Sequence, residues 1–463
     1  MCSIFGALAT GASSRPLFNE TLNCLVHDSH QRGRDGRGFA LVMRGFDTET
    51  LQDVRRDDGE SWTERDYLGD RAADACLIGN TRAEPTTEYV ATKRPDDQQP
   101  YSSGGWHIVH NGTIANDKDL RDVRLVDTDI DSAAIVELLS WQCPPGAART
   151  AAEYYSHFYD VIQKLEGSFA ILAVHDQAPG VLFAACNYRP IWYASNDGGT
   201  FIGSSRDYLP RPSTMLAPYS VAMFRADNRH PYVETLRAPQ DKRSLVICSG
   251  GLDSVVAATA VKRRGDLAGL IHFQYGSRAE GPEVEAVKAV AEALGVPLTL
   301  FPLNIYDPTD SPLLRADSAI AGGEAGAEFA HEWVPARNLV MLSVATAFAE
   351  AKGFNNIVLG NNLEEAGAYP DNEPEFIARF ADLLPFAVGA NKRMTVEMPV
   401  GNLMKHEIVA LGHKLRAPLD LTWSCYRAGA KHCGTCGPCF MRRTAFRIND
   451  LPEVIPYLDE EPS

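Results

Sequence analysis

The chain has 463 residues, a formal charge of −16, and 45% hydrophobic and 22% charged residues. That length allows two or three domains with cores of their own, and the composition excludes a disordered or fibrous chain. The acidic balance argues against a stable, nonspecific grip on nucleic acid, which needs clustered Lys and Arg. No apolar run approaches the ~20 residues of a membrane span, and the apolar start lacks a basic flank and a cleavage-type end. A cytoplasmic protein is expected. Of the ten cysteines, Cys425, Cys433, Cys436 and Cys439 crowd together, a pattern that in a reducing compartment points to metal rather than disulfides.

The chain begins "MCSIFGALAT". Cys2 is either one more apolar residue of a buried strand or, once the methionine is trimmed, an N-terminal thiol beside its own α-amine. An α-amine titrates near neutrality, at about 8, and can serve as the general base for that thiol. Behind it, residues 2–225 alternate short β-rich runs such as "GFALVMRG", "ACLIGN", "GWHIVHNG", "FAILAVHD" and "VLFAACN" with two helical windows, "SAAIVELLSW" and "AEYYSHFYDVIQKL". This pattern predicts an α+β domain of stacked β-sheets flanked by helices. Three stretches offer groups that a thiol nucleophile would need. "GNTRAEP" places Arg82 after a strand, where a guanidinium can hold a carboxylate through two bonds. "HNGTIAND" offers the Asn111 side-chain amide and the Gly112 N–H as an oxyanion hole. "DTDIDSAAIVELL" sets Asp129 ahead of a helix, placed to accept from an α-ammonium. Each also has a plainer reading: a surface Arg, a hairpin turn and a helix N-cap.

In this order, and with "RGRDGRG", "QPY", "LEGSFAILAVHD" and "RPIWYA", these strings resemble the class II glutamine amidotransferase domain, an N-terminal nucleophile fold. The resemblance implies that Cys2 attacks the side-chain amide of L-glutamine, that Asn111 and Gly112 stabilise the oxyanion, and that Arg82 and Asp129 hold the α-substituents. Ser3 replaces the family's usual glycine, and Thr113 stands where asparagine synthetases have glutamate.

The polar, proline-bearing stretch 226–243, "ADNRHPYVETLRAPQDKR", is expected to be a linker. Residues 244–463 then alternate strand, glycine turn and helix, which predicts an α/β domain with a parallel sheet. "VICSGGLDSVV" puts a Ser-Gly-Gly turn between strand and helix, where backbone N–H groups can approach phosphate oxygens. The string lacks the lysine of a P-loop and resembles the loop of ATP pyrophosphatases. By that resemblance Ser249, Gly250, Gly251, Asp253 and Ser254 cradle the phosphates of ATP, with Asp253 helping to hold Mg2+. Near the C-terminus "TWSCYRAGAKHCGTCGPC" spaces its thiols as C-x7-C-x2-C-x2-C. Four thiolates leave no open position, so a structural Zn2+ is expected on Cys425, Cys433, Cys436 and Cys439.

This box, "SGGLDS", "FQYGSRAEGPEVEAV", "VPARNLVMLSVA", "LGNNLEEAGAYPDNEPEF" and "LMKHEIVALG" together resemble the 7-cyano-7-deazaguanine synthase family. The resemblance implies a 7-deazaguanine substrate near Tyr369 and Asp371, with Lys405 at the adenylate or departing phosphates. Conversion of 7-carboxy-7-deazaguanine to the nitrile through an adenylate and an amide is the leading expectation, and the intact ATP loop favours it. Ammonia addition to the nitrile, giving an archaeosine-type formamidine, needs no leaving group and hence no adenylate. Asparagine-type amide synthesis is disfavoured by the cysteine box, and a non-enzymatic base-binding role by the intact Cys2 and phosphate loop. The reading also allows a homodimer.

Overall fold

In a computed structural model of the chain, the described residues are 2–10, 12–33, 36–45, 50–57, 66–68, 72–82, 97–121, 126, 128, 130–142, 149–238, 241–315, 318–320, 322, 332–366, 369–389 and 392–458. The chain divides into two compact units, Met1–Ala238 and Pro239–Ser463.

The first unit is built on apolar runs too continuous to have one wet face. Ser3–Thr10 and Gly167–His175 are buried almost end to end, which requires cover on both sides of each strand. Two antiparallel sheets supply the inner cover. One runs in spatial order Thr214–Met215, Trp192–Asn196, Gly199–Gly203, Ser3–Thr10, Ala72–Arg82, Gly36–Gly45, Thr50–Asp57, and the other Asn228–Thr235, Ser220–Arg225, Val181–Cys186, Gly167–His175, Trp106–Ile114, Tyr101–Ser103. Their facing sides share one core containing Ile4, Ile78, Val109, Ala170 and Leu172.

Helices form the outer layers. Ala133–Gln142 and Ala151–Ile162 cover the second sheet around Trp106, Phe158 and Phe183. A reciprocal Thr150–Glu153 capping box starts the latter helix. The helix Arg15–His30 covers the first sheet, and it was not among the helical windows read from the sequence. Its interior is rich in Asn, Thr and His, weak helix formers, so only the spacing of Phe18, Leu22, Leu25 and Val26 marks its buried stripe.

The expected linker 226–243 contains the strand Asn228–Thr235. Among the described residues this strand pairs only with Ser220–Arg225, and it is exposed along most of its length, so an edge strand with solvated side chains reads as a polar connector. Pro231 falls at the break in its register, where a missing N–H costs no ladder bond.

The second unit is the expected parallel sheet, in the order Leu298–Pro302, Leu267–Gln274, Ser244–Ile247, Asn356–Val358, Thr395–Glu397. The chain winds outward from Ser244–Ile247 in one direction and then returns to its other side. That reversal opens a crevice at the carboxyl ends of the central strands. Among the described residues no helix is long and apolar enough to cross a membrane.

Candidate functional site

At the carboxyl end of Ser244–Ile247 the chain turns through Ser249, Gly250 and Gly251 into the helix Leu252–Arg264, with Gly251 as its N-cap. Gly250 has φ +82°, and a Cβ there would lie 2.8 Å from the carbonyl oxygen of Glu283. Both the left-handed turn and the approach of the next helix therefore demand glycine. Ser249 Oγ accepts from the Gly251 N–H at 3.1 Å, and Ser254 Oγ donates to the Gly251 carbonyl at 3.0 Å. The loop is thus fixed at a helix N-terminus, where backbone N–H groups favour anions. Asp253, in the first helical turn, accepts from Lys405 Nζ at 2.5 Å and from Asn362 Nδ2 at 3.1 Å.

This loop opens onto a cavity of about 230 Å³ at the reversal of strand order. Ser249, Gly251, Asp253, Ser254 and Lys405 line it, so the structure brings those expected residues together. Gly250 stands behind them, against Glu283 and Val287. Tyr369 and Asp371 are not among the lining residues. Tyr369 stacks on Trp333 with ring centroids 6.0 Å apart. Asp371 Oδ2 accepts from the Asn338 N–H at 2.8 Å, and Asn338 does line the cavity, so Asp371 meets the wall through its neighbour.

Other cavity residues received no role from the sequence. Arg337 donates to Tyr275 Oη at 3.1 Å and lies over that ring, while burial raises the Tyr275 phenol above its ordinary value. Glu283 accepts from Ser277 Oγ at 2.8 Å, and burial pushes its carboxyl up to about 7 against that bond and the Arg337 charge. Trp423 donates its backbone N–H to the Gly250 carbonyl at 2.9 Å, tying the loop to the start of the cysteine box. Arg442 is buried and donates to Thr422 Oγ1 at 2.5 Å and to the Leu419 carbonyl at 2.9 Å. The strings around Tyr275, Arg337 and Trp423 were visible in the sequence, but only the sheet order gathers their side chains.

The thiols of Cys425, Cys433, Cys436 and Cys439 lie within 4.8 Å of one another, and all four residues are buried. Cys425 and Cys436 Sγ are 3.9 Å apart, and Cys433 and Cys439 Sγ 4.0 Å. Tetrahedral ligands at a Zn–S distance of about 2.3 Å stand roughly 3.8 Å apart, so the cluster fits zinc. Backbone N–H groups of Arg427 and Cys433 point at Cys425 Sγ, and that of Cys436 at Cys433 Sγ, at 3.3–3.4 Å, as thiolates require.

In the first unit Cys2 is half-buried just ahead of the strand Ser3–Thr10. Ser3 is buried, and its hydroxyl bonds Ser204 Oγ at 2.8 Å, which accommodates the serine at this position. The register Ser3↔Thr81 sets Arg82 across from Cys2, one step past the last pair. Arg82 Nη1 donates to the Asp97 carbonyl at 2.6 Å, and Asp97 Oδ1 accepts from Thr128 Oγ1 at 2.7 Å. Asp97 is a residue that sequence reasoning missed. Asp129 lies outside the described residues.

Asn111 and Gly112 sit on the facing sheet. Val109, two residues before Asn111, and Ile4, two residues after Cys2, both face the core between the two sheets. A Cβ on Gly112 would fall 1.9 Å from the Ser168 carbonyl oxygen, which excludes any other residue. The Gln99 side chain bonds both backbone groups of His110, donating at 2.9 Å and accepting at 2.6 Å, and so fixes the strand beside Asn111.

Comparison with known proteins follows the same division. A model described as "Queuosine biosynthesis protein QueC" matches residues 243–450, and one described as "Glutamine amidotransferase domain" matches residues 87–211. The 7-cyano-7-deazaguanine synthase of Sulfolobus acidocaldarius is 40% identical over 470 residues, 99% of this chain and 100% of its own. That of Saccharolobus solfataricus is 40% identical over 477 residues, covering 100% of both chains. The 7-cyano-7-deazaguanine synthase of Methanothrix thermoacetophila is 40% identical over 220 residues, 46% of this chain and 98% of its own.

Proposed function

The chain belongs to the 7-cyano-7-deazaguanine synthase family, and from that premise we propose that this enzyme makes the nitrile of 7-deazaguanine from the 7-carboxylate, with L-glutamine as nitrogen donor and magnesium ATP as activator. The observation that carries the reading is the Ser249–Ser254 loop opening, beside Lys405, onto a cavity at the strand-order reversal. Ser249, Gly250, Gly251 and Ser254 hold the phosphates, and Lys405 neutralises charge on the adenylate or the leaving pyrophosphate. Asp371 supports the wall of the base site by way of Asn338, while Tyr369 stacks on Trp333.

In the first unit Cys2 attacks the glutamine amide carbon, with its α-amine as base. Asn111 and the Gly112 N–H take the oxyanion, while Arg82 and Asp129 hold the α-carboxylate and α-ammonium. Ammonia leaves and a thioester remains for hydrolysis. Zinc, held by Cys425, Cys433, Cys436 and Cys439, would supply a structural clamp. Through Trp423 and Gly250 that clamp reaches the phosphate loop.

The test offers the carboxy and the cyano base separately, each with glutamine, ATP and magnesium. Release of AMP and pyrophosphate with the carboxylate alone, and a product of nitrile mass, is expected. Gain of ammonia by the nitrile without ATP consumption would replace this reading with formamidine synthesis.

A further inference from the structure

Among the described residues, the carboxyl groups lining the cavity are those of Asp253 and Glu283. Asp253 is committed to Lys405 at 2.5 Å. Glu283 stands on the helix Glu280–Leu294 where that helix abuts Gly250, and its partner is a neutral hydroxyl, Ser277 Oγ at 2.8 Å. Arg337 and Glu280 act on it electrostatically, and Tyr275, Arg278 and the Asp253–Lys405 pair border the same cavity. With its carboxyl pushed up to about 7, Glu283 can take and release a proton near neutral pH.

The nitrile-forming reading, on which this inference rests, needs such a group. The amide oxygen attacks the α-phosphorus of ATP, pyrophosphate leaves, and the nitrogen gives up one proton to become an imidate nitrogen. The carbon–oxygen bond then breaks, AMP departs with that electron pair, and the N–H electrons form the third carbon–nitrogen bond as the last proton leaves. We propose that Glu283 is the catalytic base that takes this last proton from the substrate nitrogen. Among the described residues, no histidine or cysteine lines the cavity. Lys405 and Tyr275 are engaged with Asp253 and Arg337, and Glu283 lies on the same wall as the phosphate loop.

Glu283→Gln keeps the Ser277 contact and removes the base. Given the amide and magnesium ATP, it is expected to lose ~10²–10⁴-fold in nitrile formation, the usual cost of losing a general base. Carboxylate-dependent exchange of labelled pyrophosphate into ATP stays at the level of the unsubstituted protein, the amide accumulates, and Glu283→Asp restores part of the rate. In the unsubstituted protein the amide-to-nitrile rate rises with pH through an inflection near 7. Ser277→Ala moves that inflection upward, because it removes a bond to the ionised form. Glu283→Gln abolishes it. An unchanged rate and pH profile in Glu283→Gln overturns the proposal. So does loss of pyrophosphate exchange along with the nitrile, which would assign Glu283 to nucleotide binding or folding. Failure of the reaction assignment shows separately, as absence of nitrile from the unsubstituted protein, and overturns both.

Discussion

Gly250 turns the Ser249–Ser254 loop in a backbone region that costs an L side chain about 1–2 kcal/mol, and the helix bearing Glu283 closes over it. Gly250→Ala is therefore expected to weaken ATP by roughly tenfold, the equivalent of about 1.4 kcal/mol. The KM for ATP in pyrophosphate exchange reads this directly, and an unchanged KM would contradict the geometry. Most of the loop was legible in "SGGLDS", because a left-handed turn into a helix against a neighbouring helix dictates both residue size and spacing. The place of Asp371 was not. Its bond to the Asn338 N–H joins residues on separate elements, and no spacing in the sequence signals a side chain that accepts from a distant backbone. Asp97 escaped for the same reason, since it joins Arg82 to Thr128.

At the level of elements, burial conceals what periodicity would announce. The strands of the first unit were readable as apolar runs, whereas the helix Arg15–His30 shows only a thin stripe among polar residues, and the edge strand Asn228–Thr235 shows no buried face. The same burial sets a pH response. His110 and His175 are buried and held neutral, each lowered from 6.5 to about 4 by desolvation. Between pH 6.5 and 4 the unfolded chain takes up these protons and the folded chain does not. Stability is thus complete above 6.5 and falls as pH drops toward 4, by on the order of 3 kcal/mol per histidine at the lower end. Thermal melts of the first unit from pH 7 to 4.5 are expected to shift steadily downward, and a constant midpoint would refute this. The cysteine box makes a separate prediction. About one zinc per chain is expected by elemental analysis, and its removal should lower the melting temperature of the second unit and weaken pyrophosphate exchange through Trp423. A zinc-free protein from zinc-replete medium would contradict the fit of the four thiols.

Across the whole chain, each unit has its own core and its own chemistry. The first carries Cys2, Arg82, Asn111 and Gly112 on its two facing sheets, and the second the Ser249–Ser254 loop in a crevice at a strand-order reversal. Order along the chain made this division readable, because each set of motifs falls within one unit. Removal of the nucleophile should consequently separate the two activities. Cys2→Ala is expected to lose glutamine-driven turnover and to keep turnover driven by ammonium salts, measured as AMP release with the carboxylate. Loss of both would show that Cys2 serves the fold rather than the amide. The most direct measurement supplies glutamine labelled with nitrogen-15 in its side-chain amide, together with ATP, magnesium and 7-carboxy-7-deazaguanine, and weighs the product. A nitrile carrying the label, formed with AMP and pyrophosphate, is predicted. An unlabelled product, or label entering the cyano base with no AMP formed, would contradict the account.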